Sequence, residues 1–427
     1  MKRLLLFVYL LFILLVALYT FRRPGYNWDM LPYMAIVLQY DHHDAHFAHD
    51  TVYRLIKEQL PASAYGLLID GGLPYRRTMT ENAAEFSRQM PFYSVKPLYT
   101  GGVYLLYKLG VPLIRATVFP ATLSYFLIGL LLIFWIKKYI HFPLAVLVSS
   151  LIMISAPMWE VARCSSPDGL SALLLLTALY SLLERGSVAW SFIFLLCAVW
   201  ARLDNLLPAC FVVSLMAWKY KVPLKNYVGM LFGIGLSCFL ITLGTHQYGW
   251  NVLYYPTFLK SLNLEYAAHT EFHLRDYIAL AVSHLMTGLF FSYLFLFLAL
   301  ACLGFVEKIR LRWRSLTFDQ LLLLAIVSTI VLRFVLQPII ADRLYIAYYL
   351  CILMVLIRKY ASPGGALSGV APSSAAPSGG APSGGALSGV APSSAAPSGG
   401  APSGGAPSGG APSGGAPSSG PPSGGGA

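Results

Sequence analysis

The chain has 427 residues, of which 57% are hydrophobic and only 11% charged, well outside the balance of soluble globular domains. The net charge of +12 would point to nucleic acid in a soluble protein. Here most of the excess falls in short loops between apolar runs, where it reports membrane orientation and contact with anionic lipid, so nucleic acid is not an expected partner.

These features predict an all-α polytopic membrane protein. Met1-Lys2-Arg3 precedes an unbroken apolar stretch from Leu4 to Phe21. It is long for a signal-peptide core and has no small-residue cleavage site after it, so it reads as an uncleaved signal-anchor helix with a cytoplasmic N-terminus. A polar and aromatic loop follows to about Lys96, too long for a simple bundle connection and therefore a functional candidate. Further apolar runs open near Arg115, Phe142, Gly169, Val188, Asn205, Tyr227, Tyr277, Phe318 and Leu344. The six cysteines (Cys164, Cys197, Cys210, Cys238, Cys302 and Cys351) lie within apolar segments without disulfide or zinc spacing and read as small buried hydrophobes.

The segment Pro97 to Leu109 decides the threading. As a span it would place Lys137, Lys138, Lys219, Lys221, Lys225 and the cluster Lys308, Arg310, Arg312 and Arg314 outside. As an amphipathic helix in the outer interface it places all of them inside. The excess of Lys and Arg in cytoplasmic loops selects the second arrangement, with about ten spans and a first extracytoplasmic loop over residues 22–114. The outer face then receives that loop, Arg163 to Asp168, Arg202 to Asp204, the loop from His246 to Asp276, and Asp342-Arg343. Residues 1–360 form the membrane domain on this reading. Residues 361–427 carry no charge, and a 20-residue unit beginning at Ala366 repeats from Ala386. Such an Ala/Pro/Ser/Gly tract cannot bury enough apolar area to offset its ordering entropy, and reads as a disordered cytoplasmic tail.

Charges at membrane depth are costly and usually functional. Asp29, just past the first span, can accept a proton from a nucleophile or orient it; a helix cap or solvated acid is the plain alternative. The run Asp41 to Asp50 holds four His and three Asp in ten residues. On a helix His42, His46 and His49 share one face with Asp50 near its edge. This reads either as a divalent-metal or substrate site (Asp41, His42, His46, His49 and Asp50, with Mg or Mn) or as the polar face of a juxtamembrane helix. Glu265, His269 and His273 recur at four-residue spacing, a weaker metal pattern. Arg163 precedes a span with Asp168 in its first turn, where Asp168 serves as a cap and Arg163 suits a phosphate. Arg202 and Asp204 form either a local ion pair or part of a polar cavity, and Asp342-Arg343 closes the last hairpin likewise. Arg76 and Arg77 are anion candidates or solvated surface arginines. Walker-type loops, dinucleotide fingerprints and Ser-His-Asp elbows are lacking.

Several short motifs together resemble the GT-C superfamily of membrane glycosyltransferases, in its family-39-like and RgtA/B/C/D-like branch. They are Trp28-Asp29, Lys96-Pro97-Leu98-Tyr99 leading an aromatic helix that ends Lys108-Leu109-Gly110, Arg115, Arg163 with Ser166-Pro167-Asp168-Gly169, and Ala201-Arg202-Leu203-Asp204. The resemblance spans roughly residues 1 to 358. It implies a polyprenyl-phosphate-linked sugar as donor and Asp29 as catalytic acid or base. It also implies Arg163, Arg202 and Arg343 on the donor phosphate, with Asp168 in support; Lys96, Asp204, Arg76 and Arg77 are further candidate substrate contacts. A lipid, glycan or protein would be the acceptor, at the outer face of a bacterial plasma membrane. A transporter or lipid flippase is the rival expectation, and a non-catalytic scaffold the third.

Overall fold

A computed structural model describes residues 1–245, 273–305 and 316–361. The low-complexity tail from residue 362, the basic cluster Lys308 to Arg314, and Glu265 and His269 lie outside them. Among the described residues every regular element is helical. Five helices are long and apolar enough to cross a membrane, or up to seven if each of two bent pairs is one span. These mark the chain as an integral membrane protein. The five are α1 (Lys2–Arg22), α9 (Leu113–Ile136), α15 (Leu224–Gly244), α18 (Phe318–Leu336) and α19 (Asp342–Ala361). The bent pairs are α10 (Phe142–Ile154) with α11 (Ala156–Arg163), at 60°, and α16 (Leu274–Phe291) with α17 (Leu294–Leu303), at 78°. Between them run α12 (Asp168–Arg185), α13 (Val188–Ala201) and α14 (Leu206–Tyr220).

The expected count of about ten exceeds this because α12 ends in charged residues while α13 and α14 are short. Fourteen residues extend about 21 Å as a helix, against a hydrocarbon core of about 30 Å.

Contacts sort the helix ends into two groups. At one end the α9 terminus meets α12 through Lys138 and Glu184, 3.0 Å apart, with Trp135 Nε1 donating to the same carboxylate at 2.8 Å. Arg358 of α19 donates to the Leu183 carbonyl and lies 3.8 Å from Asp319 of α18. Tyr220 of α14 donates to the Leu182 carbonyl, and Gly186, at φ 61°, supplies the left-handed residue that ends α12. The opposite end carries the C-termini of α1, α11, α13 and α18 and the N-termini of α9, α12 and α19. One apolar core runs through this helical body.

A second, separate apolar core belongs to the segment after α1. It is built by α2 (Met30–Gln39), α3 (Ala45–Gln59), α4 (Ala62–Ile69), α5 (Pro74–Glu81), α6 (Ala83–Arg88), α7 (Met90–Ser94) and α8 (Pro97–Lys108). Every residue of α2 from Met30 to Leu38 is buried, which makes this short helix the centre of the lobe. Asp44 caps α3 by accepting from His46 N at 2.8 Å and Phe47 N at 3.3 Å. Ala48, His49, Val52, Tyr53 and Ile56 then face the core at helical spacing. Helix α8 has twelve residues, about 18 Å, too short to cross the hydrocarbon.

Candidate functional site: an ion chain closing over Asp29

Four connections hold the site together. The chain leaving α1 is pinned to the end of α11, where Gly25 N donates to the Arg163 carbonyl at 2.9 Å. Asn27 fixes the next turn: its Oδ1 accepts from Ser165 N at 2.9 Å, and its Nδ2 donates to Asp29 at 3.1 Å. Asp29 then sits at the start of α2, so the lobe core and the helical body both hold it. Gly169 lets α12 approach α9 and α11 closely, since a Cβ there would meet Val161 at 3.0 Å and Ser124 at 3.3 Å. That approach brings Asp168 to the same place.

Arg343, at the start of α19, joins these groups. Its Nη2 donates to Asp29 Oδ2 at 2.9 Å, and its Nε lies 3.8 Å from both Glu160 and Asp168. Asp168, almost wholly buried, also pairs closely with Arg202. Arg202 clamps Asp204 with two parallel bonds of 2.9 and 2.8 Å, the fork geometry that favours guanidinium on carboxylate. Asp204 in turn accepts from Arg333 Nε at 2.9 Å. Arg333 is 3% exposed, donates to the Leu344 carbonyl and stacks on Tyr345. The result is a continuous alternation of sign: Asp29, Arg343, Asp168, Arg202, Asp204, Arg333. Burial alone would raise the Asp204 carboxyl, but Arg202 and Arg333 outweigh it and hold it below the usual carboxylate range. Asp168, Arg202, Asp204, Asn205 and Arg343 line a cleft of about 10 Å³, room for about one water.

Lys96 lies beside this chain without a carboxylate ion-pair partner among the described residues. Its Nζ donates to the Phe92 carbonyl at 3.3 Å and sits over the rings of Tyr93 and Tyr33, at 4.9 and 5.2 Å. Burial, aided by Arg202 and Arg343 and opposed by Asp29 and Asp204, pushes its ammonium down to about 8. Tyr93 also donates to Asp29 Oδ1 at 3.4 Å. Asp29, Lys96, Asp168, Arg202, Asp204 and Arg343 therefore gather in one place.

The other candidates do not join them. Arg163 donates to the Arg23 carbonyl at 3.2 Å and stacks on Trp159 instead. Arg76 packs over Trp28 and Tyr75 within the lobe, and Arg77 makes an exposed pair with Asp70 at 3.5 Å.

The metal set is dispersed. Helix α3 begins only at Ala45 because Asp44 serves as its cap, so His42 precedes the helix and does not share a face with His46 and His49. Asp41 pairs with Lys108 at 2.8 Å and accepts from Tyr104 at 2.8 Å. His49 is buried with one ring nitrogen on Asp50 at 2.8 Å and the other on the Met79 carbonyl at 3.1 Å. Both nitrogens are therefore engaged, and these residues do not fit a metal ion. Among the described residues, groups of three or more His, Cys, Asp or Glu placed to hold a metal are absent. His273 caps α16 without a side-chain bond.

Sequence reasoning missed Arg333, Glu160, Asn27 and Tyr93. Arg333 was within reach, because a lone Arg inside the apolar run Phe318–Leu336 is a charge at membrane depth. Comparisons with protein-family models, curated proteins and solved structures each found no match for this chain.

Proposed function

We propose that the chain is a membrane glycosyltransferase that moves a sugar from a polyprenyl-phosphate donor to an acceptor at the extracytoplasmic face. The observation that carries this reading is the pairing of Asp29 with Arg343 beside Lys96, a cation that makes no ion pair with a carboxylate among the described residues. A phosphate entering between Lys96 and Arg343 competes with Asp29 for the guanidinium. Arg343 then holds the departing phosphate oxygens, and the freed Asp29 carboxylate takes the proton of the acceptor hydroxyl as its oxygen attacks the anomeric carbon. The carbon–phosphate-oxygen bond breaks, and the phosphate leaves with the bonding pair. Tyr93 and Asn27 keep the carboxylate aimed throughout.

In the membrane, α1, α9, α10 with α11, α12 to α15, α16 with α17, α18 and α19 make about ten transits. Lys137, Lys138, Lys219 and Arg358 then lie on the cytoplasmic side with both ends of the membrane domain, and the α2 to α8 lobe covers the outer face. A bacterial plasma membrane is the proposed location.

The bent pairs α10–α11 and α16–α17 favour a second reading, since transporters build substrate sites from interrupted helices. Proteoliposomes holding purified protein and a polyprenyl-phosphate sugar separate the two. Transfer of the sugar to an acceptor glycan or lipid, read by mass spectrometry, is the expected result. Translocation of the lipid without glycosidic bond formation would sink the transferase.

Lys96 gives the site a pH signature. Its ammonium is disfavoured in the folded chain, so folding stability rises between about pH 8 and about 10.4, where only the unfolded chain holds the extra proton. Anion binding has the opposite sense: affinity for a short-chain polyprenyl phosphate is expected to fall above about pH 8, approaching tenfold per unit. Lys96→Arg is expected to flatten that fall in equilibrium binding across the same range. An identical slope in both proteins would remove Lys96 from the phosphate site.

A further inference from the structure

A groove of about 300 Å³ lies between α8, α9 and the start of α12, with Tyr99 in its wall. Its walls are almost entirely apolar, with Leu98, Gly102, Phe119, Leu123, Leu127 and Leu170 among them. Phe119, Leu123 and Leu127 follow one another at four-residue spacing along a single ridge of α9. One step further up that ridge stands Arg115.

Arg115 donates to the Phe21 carbonyl and lies over the Phe21 ring, which in turn meets Phe119 edge-on at 6.0 Å. The carbonyl takes one of its five N–H donors and leaves the charge unneutralised. Arg22 and Arg23 follow in the chain, and Arg163 binds the Arg23 carbonyl. Among the described residues none of these four arginines has a carboxylate within ion-pair distance. An apolar slot headed by unpaired cations is complementary to an amphiphile with an anionic head, and a membrane supplies such molecules in quantity.

We propose that this groove binds one chain of a phosphate-headed membrane lipid, with Arg115 holding the phosphate. The site is distinct from the cleft beside Arg202 and Arg343: the two share no lining residue, and Tyr99 in the groove wall bonds the Thr117 carbonyl at 2.6 Å. It does not depend on the transferase reading.

The full-length protein, equilibrated with equal phosphatidylglycerol and phosphatidylcholine and read by native mass spectrometry, tests it. Wild type is expected to retain phosphatidylglycerol preferentially. Arg115→Gln is expected to lower that preference about five- to tenfold, and Arg115→Lys to keep most of it. Leu123 is 42% exposed, so Leu123→Trp fills the groove without disturbing the core and is expected to displace the bound lipid. A photoreactive acyl chain should crosslink wild type within 98–106 or 119–127, a readout independent of any variant's folding. Unchanged retention in both Arg115→Gln and Leu123→Trp, or crosslinks confined to other segments, would overturn the proposal. So would tight binding of inorganic phosphate to lipid-free protein that Arg115→Gln abolishes, which would make this a soluble-anion site.

Discussion

Replacing Asp29 by Asn is expected to lower glycosyl transfer by about 10²–10⁴-fold, the range that a positioned general base contributes. The substitution keeps the shape of the side chain and one acceptor oxygen, which can serve Tyr93, now on Oδ1, or Asn27, now on Oδ2. Arg343 retains Glu160 and Asp168, each 3.8 Å away, so the fold loses little. The measurement is initial rate in purified membranes, with thermal unfolding as the control. Donor affinity should hold or rise, because Arg343 no longer has Asp29 to satisfy. Undiminished transfer in a folded Asp29→Asn protein would remove this carboxylate from the chemistry while leaving the transferase reading itself intact.

The second large effect concerns stability. Asp204→Ala is expected to cost about 3–5 kcal/mol, the usual penalty for stripping one partner from a buried ion pair. Arg202 keeps Asp168, but Arg333, 3% exposed, loses the only carboxylate it pairs with among the described residues. It would then hold a charge in an apolar helix with a single carbonyl and a tyrosine ring for company. Adding Arg333→Met removes that charge and should recover much of the loss, a coupling that a double-mutant cycle measures. Thermal unfolding of the two single variants and the pair in detergent supplies the numbers. Strictly additive effects would show that Asp204 and Arg333 do not depend on one another.

Much of this site was legible in the sequence because charge at membrane depth is a sharp signal. Asp29, Asp168, Arg202, Asp204 and Arg343 each interrupt or border an apolar run, and all five fall into one chain of contacts. What could not be read was partnership. The bidentate Arg202–Asp204 pair is local, but Asp168–Arg202 and Asp204–Arg333 depend on helix approach that no spacing encodes. At the His-rich run composition left a metal site and a polar helix face open. Of its seven ligand-type residues, Asp44 answers to a helix start, Asp41 to Lys108 and His49 to the lobe core, while His42, His43 and His46 are exposed. Helix α2 was also hidden inside a segment whose overall polarity reads as loop. Its ten residues carry too little periodicity to separate a buried helix from any other short apolar run.

The bond between Asp29 and Arg343 joins positions 314 residues apart. At a synthesis rate of about 5–20 residues per second, roughly 15–60 s separate their emergence from the ribosome. Throughout that interval the nascent first loop carries its carboxylate without the counter-ion that will hold it. The ion chain is therefore completed only when α19 is inserted, and a chain cut short anywhere before Arg343 lacks the guanidinium that holds Asp29. Assembly order thus acts as a check on manufacture: the Asp29–Arg343 pair forms only after α1 to α18 have been made.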